Sequence, residues 1–457
     1  MKPNIVHVYH KNDYPIDYHC YGQTIVVNEL AKYQQKDFNL HLITTVTPVM
    51  GQESFYELAD KSIKKALGIN VIRVPECESN AETMNNMAEA IDSIDGESIL
   101  DYHFMSASKL IEPAKSIAKA KNMIHWHCLS DLYSFAPSMP RPKDFKRMKG
   151  YFEDNLIDLN IGVSDHVKQS FKYFPELYNN MDVVQNGVDQ NLYKPLTLEE
   201  RITLRNEQLK IDSDTTVIGY VGRMQELKGV DIIKKILQQM EQTNEQLYFV
   251  FASSNGTDRT SFFEYVNDNC PKLIDEQRIR IGFDISKFLT GQEDYDKQIT
   301  QAFTSSLSDD GIIDSEIFAG LFKTPFQQLI DIYIHPARSE ALGLSVIEAQ
   351  MCGTKTIASY IGGIPEVITD TTNNKLISLP PDIHIGYPKT NEELILKNRA
   401  VEQAANDFME AIDKMKTKKY DYETAKTIRN SVILRKDPLT SERMAKETNK
   451  LINKLIN

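Results

Sequence analysis

Apolar and polar positions follow two periods along this chain. Short runs rich in β-branched residues recur at "NIVHVYH" (4–10), "LHLITTVTP" (40–48), "NVIRVP" (70–75), "SILDYHF" (98–104), "NMIHWHC" (122–128), "DLNIGVS" (158–164) and "MDVVQNG" (181–187). Between them lie stretches with helical spacing, such as "QTIVVNELAKYQQK" (23–36), where Ile25, Val26, Leu30 and Ala31 share one face. Strands separated by helices of about 10–20 residues predict βαβ units and a parallel sheet. The pattern starts again with "TTVIGYVG" (215–222), "QLYFVFAS" (246–253), "RIRIGFD" (278–284), "LIDIYIHPA" (329–337), "TKTIASY" (354–360) and "NNKLISL" (373–379). Residues 188–214, with Pro195 and dense charge, read as a linker and a leading helix. The expected fold is therefore α/β, with two doubly wound, Rossmann-like domains facing across a cleft and ligands at the carboxyl ends of the strands. The domains are expected to span 1–190 and 191–435. Residues 436–457 carry an amphipathic helix with Leu451, Ile452, Leu455 and Ile456 on one face, expected to pack back on the N-terminal domain.

A length of 457 residues suits two such cores. No apolar run reaches the roughly 18 residues of a membrane-spanning helix. The opening "MKPNIVHVYHKNDYP" lacks the apolar core and cleavage site of a signal peptide, so none is expected. Five scattered cysteines (Cys20, Cys77, Cys128, Cys270, Cys352) form no Cys-x-x-Cys pair. This argues against a zinc site and a disulfide framework, and for a cytoplasmic protein. A net charge of −12 argues against nucleic acid as a partner. One stretch runs against that balance: "RPKDFKRMKG" (141–150) carries Arg141, Lys143, Lys146, Arg147 and Lys149. It reads as a solvated loop and helix start, or as a patch for an anionic acceptor or the inner face of a membrane. Residues 285–328 are acidic and too long for a simple crossover, so helices are expected within them. A lid, an acceptor-specific insertion and a homo-oligomer contact all fit that segment.

Two segments carry candidate chemistry. In "VIGYVGRMQELKGVDIIKKIL" (217–237), a strand ends at Val221, and Arg223 and Lys228 flank the loop before a helix near Val230. Two cations at a strand's carboxyl end can converge on a diphosphate, Arg as a fork and Lys as a point charge; a solvent-exposed loop with incidental charges is the competing reading. In "HPARSEALGLSVIEAQMCGT" (335–354), a helix is expected from Gly343 to Cys352, with Gly353 closing it. The backbone N–H groups of Gly343, Leu344 and Ser345 then face out of the helix N-terminus, where anions bind. Glu348, one turn in, is placed to accept from two vicinal hydroxyls of a ribose. Glu340 precedes the helix and is free to face a sugar. By spacing alone, both glutamates also read as an ordinary helix residue and a loop charge.

"SEALGLSVIEAQMCGTKTIAS" resembles the Glu-x₇-Glu region of retaining GT-B glycosyltransferases of family 4, and "GYVGRMQELKGVD" resembles that family's Gly-Arg…Lys-Gly segment. "VVQNGVDQNLYKP" (183–195) is similar to its Asn-Gly-Val-Asp strand end, with Tyr193 where Phe is commoner. "NIGVSDHVKQS" (160–170) is similar to its strand–helix turn. The resemblance implies a GT-B architecture, with an acceptor-side N-terminal domain and a C-terminal domain that binds the nucleotide sugar. It implies that Arg223 and Lys228 hold the donor diphosphate and stabilise it as it leaves. Glu348 would bind the ribose and Glu340 the sugar hydroxyls, while Gly343, Leu344 and Ser345 offer N–H groups. The family's Gly-rich turn before the first helix is reduced here to Gly22. His127, in "NMIHWHC", matches the family's first-domain histidine beside the donor sugar, and His125 lies on the same strand face.

The implied reaction moves a hexose or N-acetylhexosamine from a nucleoside diphosphate sugar, UDP-linked before GDP-linked, to an acceptor hydroxyl on a glycan, lipid, protein or small molecule. Attack comes from the face the diphosphate leaves, with retention. The cationic groups stabilise the departing charge, and no metal or other cofactor is expected. Two rivals are a nucleotide-sugar epimerase on the same fold and a catalytically silent partner subunit.

Overall fold

The computed structural model describes residues 2–9, 22–46, 57, 60, 61, 63–65, 67–103, 111, 120–127, 150–211, 215–243, 247–252, 259–282, 326–384, 388–416 and 420–456. The basic stretch Arg141, Lys143, Lys146, Arg147 and Lys149, most of the 285–328 segment, Cys20 and Cys128 lie outside the described residues. The chain divides into two compact units. The described residues up to Gly187, together with those from Ser441 onward, form the first; the described residues between Val188 and Thr440 form the second.

The β-branched runs of the first half become β1 (Asn4–Val8), β2 (Asn39–Val46), β3 (Ile69–Pro75), β4 (Ser98–Tyr102), β5 (Ala120–Trp126), β6 (Leu159–Gly162) and β7 (Met181–Val183). All pair in parallel, in the order β3-β2-β1-β4-β5-β6-β7. Ile5, Val6 and Val8 of β1 are fully buried, as a strand covered on both faces requires. The order reverses direction between β1 and β4, where His7 lies opposite Asp101 in register. Helix α1 (Gly22–Gln34) packs against the terminal helix Ser441–Ile456. Ser441 Oγ donates to Glu29 Oε2 at 2.7 Å, and the Gln34 amide Nε2 donates to Asn449 Oδ1 at 3.1 Å. Met444, Ala445 and Ile452 are buried in that helix. The strand–helix turn after β6 is closed by Ser164, whose side chain accepts from the Val167 N–H at 3.0 Å to cap α2 (Asp165–Ser170).

The second unit holds β8 (Thr216–Val221), β9 (Leu247–Ala252), β10 (Ile279–Gly282), β11 (Ile332–His335), β12 (Lys355–Ser359) and β13 (Lys375–Ile377), parallel in the order β10-β9-β8-β11-β12-β13. Its reversal falls between β8 and β11. The leading helix α3 (Leu198–Gln208) opens with a capping box between Thr197 and Glu200. Buried Asp331, at the start of β11, accepts from Arg201 at 2.9 Å, Arg205 at 2.6 Å and the Val217 N–H at 2.8 Å, tying α3 to β8 and β11. Burial alone would raise that carboxyl, but the two guanidiniums outweigh it and hold it low. Helix α4 (Val230–Glu241) buries Val230, Ile232, Ile233, Ile236, Leu237 and Met240, and the long α5 (Asn391–Met415) packs on it. Several runs are longer than the strands they form. "SILDYHF" leaves the ladder at Tyr102, and "LIDIYIHPA" begins inside a 3₁₀ turn, Phe326–Leu329. Apolar composition alone marks neither boundary.

Candidate active site

The loop after β8 descends into a 3₁₀ turn, Glu226–Lys228, and Gly229 launches α4 from a left-handed conformation (φ 79°). A Cβ on Gly229 would stand 2.1 Å from the Pro336 carbonyl oxygen, so only glycine lets the two loops touch. That approach brings the two charged segments together. Lys228 Nζ donates to Glu340 Oε2 at 2.7 Å, and the same oxygen lies 3.2 Å from His335 Nε2. Arg338 holds the loops from behind, bonding both Glu226 and Asp231.

Glu340, read from the sequence as placed to face a sugar, has its Oε2 shared by a lysine and a histidine. Burial would raise this carboxyl, but the Lys228 ammonium and His335 overcome it and hold it well below the usual range. An ionised Glu340 accepts only, so His335 Nε2 carries the proton between them. Nδ1 lies 3.2 Å from the Tyr333 hydroxyl, which hydrogen-bonds Ser345 Oγ at 2.8 Å. The network thus runs from Ser345 through Tyr333 and His335 to Glu340 and Lys228. Among the described residues, Glu340 Oε1 has no partner, and Arg223 forms no ion pair.

Helix α6 (Leu344–Met351) starts at Gly343, with φ 98°, and ends at Cys352, followed by Gly353 in the left-handed region. Val346 and Ile347 N–H both turn to the Gly343 carbonyl at 3.1 Å, leaving the Leu344 and Ser345 N–H groups in the free first turn. Glu348 is 5% exposed, and its Oε2 accepts from Gln327 Nε2 at 2.9 Å. Gly343, Leu344, Ser345, Glu340, Lys228 and Arg223 therefore gather at the carboxyl ends of β8 and β11. Sequence reasoning missed His335, Tyr333 and Gln327. The alternation of Tyr333 and His335 on one face of an otherwise apolar strand was the available signal.

In the first unit, Gly22 is the first residue of α1 itself rather than part of a preceding turn, and residues 10–21 lie outside the described ones. His127 follows β5. Its Nε2 lies 2.9 Å from His103 Nδ1, while its Nδ1 is buried with no partner among the described residues. His125, two residues earlier on the same strand face, is 5% exposed, with Nδ1 2.6 Å from Asp101 Oδ1. The cluster extends to His103 and His7. Burial would raise the Asp101 carboxyl, but the flanking imidazoles His103 and His125 hold it well below its usual value. Burial pulls His103 down to about 4 against the opposing attraction of Asp101, and lowers His127 well below the ordinary imidazole value. At neutral pH the Asp101 carboxylate therefore lies beside a neutral His103, and His127 is neutral too.

Two doubly wound parallel sheets, each with polar groups gathered at the carboxyl ends beside its reversal point, define the fold class of GT-B glycosyltransferases. Residues 323–384 match the family model described as glycosyl transferases group 1. The chain is 25% identical over 226 residues to a D-inositol 3-phosphate glycosyltransferase of Corynebacterium aurimucosum, covering 49% of this chain and 45% of that one. It is 24% identical over 285 residues to the protein of the same name from Thermobifida fusca, covering 59% and 52%. The chain thus spans about half the length of the curated relatives it matches. Among solved structures it is similar to Anabaena HepE in complex with UDP and glucose (TM-score 0.63, 14% identity, 98% of this chain and 99% of that one). It is also similar to sucrose-phosphate synthase from Thermosynechococcus elongatus (TM-score 0.65, 16% identity, 99% of each).

Proposed function

We propose that this chain is a retaining glycosyltransferase that moves a hexose or N-acetylhexosamine from a nucleoside diphosphate sugar, UDP-linked by preference, to an acceptor hydroxyl. The observation that carries this reading is the Lys228–Glu340–His335 network beside the first turn of α6. Lys228 has three N–H donors, so it can keep Glu340 while offering another to a phosphate oxygen. Arg223 and the Leu344 and Ser345 N–H groups add positive potential where charge develops on the departing diphosphate. Glu340 Oε1 accepts from a sugar hydroxyl, with its orientation set by the two bonds to Oε2. Glu348, steadied by Gln327, accepts from the ribose. His127 is assigned a hydrogen bond to the sugar. Bond breaking is then driven by stabilising the leaving group, with no metal on the diphosphate and no enzymic nucleophile.

The test is incubation of the full chain with UDP- and GDP-sugars, without added metal. Release of nucleoside diphosphate and free sugar supports the transferase. Formation of a new nucleotide sugar identifies an epimerase, and binding without turnover identifies a silent subunit. A thermal-shift screen of the same donors identifies the base, since a bound donor raises the midpoint by mass action.

A further inference from the structure

Three neighbouring strands of the first unit break the rule that a doubly covered parallel sheet is apolar. His7 of β1, Asp101 of β4, His103 just after β4, and His125 and His127 at the end of β5 occupy alternate positions, so they face the same side of the sheet. Val8, Tyr102 and Trp126 take the other side. The group sits where the strand order reverses, the usual ligand position in such sheets. His7 and Asp101 are fully buried, and His103 is 2% exposed.

At its centre His7 Nδ1 and His103 Nε2 lie within hydrogen-bond distance of each other, and a carboxylate oxygen closes in on both. His7 Nδ1, His103 Nε2 and Asp101 Oδ2 form a triangle with sides of 3.0, 3.0 and 3.2 Å. Asp101 Oδ2 accepts a hydrogen bond from neither imidazole, although it is wholly buried. A buried carboxylate oxygen without a hydrogen bond is costly unless something else holds its charge. An ion about 2.0–2.2 Å from each of these atoms, the zinc bond lengths to imidazole and carboxylate, fits about 1 Å off their plane.

We propose that His7, Asp101 and His103 bind a divalent transition-metal ion of the zinc class, with a fourth, open position. Two imidazoles and one carboxylate are a zinc ligand set. The surrounding bonds give each ligand a consistent role. With His103 ligating through Nε2, its Nδ1–H donates to His127 Nε2 at 2.9 Å. With Asp101 ligating through Oδ2, its Oδ1 accepts from His125 Nδ1–H at 2.6 Å. Outer partners of this kind orient metal ligands. Among the described residues, only His7 Nε2 lacks such a partner. The ion pins the carboxyl ends of β1 and β4 and fixes the proton of His127 on Nδ1. This departs from the sequence-based expectation of a chain without metal, and it stands independently of the donor chemistry assigned to the second unit.

The experiment uses the full chain stripped with a chelator and titrated with Co²⁺, then Zn²⁺. One equivalent of Co²⁺ should give visible d–d bands of tetrahedral intensity that Zn²⁺ displaces, and X-ray absorption of the zinc-loaded wild type should show two imidazole ligands. His103→Asn should abolish the bands. His125→Asn, which leaves all three ligands in place, should weaken affinity roughly 10–100-fold. Glu340→Gln, in the other unit, should leave both affinity and spectrum unchanged. Absence of d–d bands in the wild type, an absorption spectrum without imidazole ligands, or bands that persist in His103→Asn would overturn the proposal. The wild-type measurements decide it even where a ligand variant fails to fold.

Discussion

The two units gather charge at the carboxyl ends of their strands in opposite ways. In the first, Asp101, His7, His103 and His125 are carried by the strands and their ends and buried, with His127 partly exposed beside them. In the second, Lys228 and Glu340 lie on loops, with side chains 16% and 17% exposed, and are brought together by a glycine contact between those loops. Groups on strand ends are fixed by the fold and add to or subtract from its stability. Groups on half-open loops can share a partner with a ligand. The difference predicts that substitutions at the Lys228–Glu340 pair change turnover, whereas those at Asp101 and His103 change stability.

The largest effect is expected at the lysine–glutamate pair. Lys228→Ala should lower the rate of nucleoside diphosphate release by about 10²–10³-fold, the loss expected when one charge-stabilising donor is removed, and Glu340→Ala, which removes the sugar's acceptor and the partner that holds Lys228, should lower it as well. Far-ultraviolet circular dichroism should be unchanged. Near-normal turnover in either variant would remove that residue from the mechanism. Asp101→Ala should show the converse. It strips the acceptor from the buried His125 Nδ1–H, and leaving such a donor unsatisfied costs about 1–3 kcal/mol. A denaturant titration should show the first unit unfolding early. An unchanged midpoint would mean the histidine cluster is not a structural element.

The loop contact tests the comparison from another side. Gly229→Ala forces a side chain into a left-handed conformation against the Pro336 carbonyl. The strain should cost about 1–3 kcal/mol. Because the loops must then part, turnover should fall together with the melting temperature. A loss of stability with normal turnover would show that the Lys228–Glu340 distance does not depend on the contact.

How much of this could be read in the sequence depends on what each feature requires. Strand positions follow from local runs of β-branched residues, and every predicted run holds a strand. Their ends do not follow, because pairing decides where a ladder stops: Tyr102 ends β4 although "HF" continues the run. Gly343 and Gly353 bracket α6 as the Gly…Gly spacing implied. The bond between Lys228 and Glu340 is a contact between segments 112 residues apart, and no local pattern encodes it. His335 lay within the stretch that attracted attention, yet was read only as the end of a strand. The histidine–aspartate cluster went unread for a related reason. "DYHF" and "HWHC" each place ionisable residues at alternate positions and "HVYH" supplies His7, but only the strand order β1-β4-β5 puts them side by side.

The smallest expected effect is the dependence of stability on pH. His103 is buried and neutral, with its folded pKa lowered to about 4 against an ordinary 6.5. Above 6.5 both folded and unfolded states hold this ring neutral, and it contributes no slope. Between 6.5 and 4 the unfolded chain binds a proton that the folded chain refuses, so stability falls as pH falls. Near 4 the folded ring protonates too, and this contribution levels off. The depressed carboxyl of Asp101 acts at lower pH, where its stabilisation is lost as the folded group protonates. Melting temperatures measured in chelator from pH 7.5 to 4.5 should therefore decline mainly below 6.5, and His103→Gln should flatten the decline. An equally steep decline in that variant would shift the acid sensitivity to other groups, His127 first among them, since burial lowers its pKa as well.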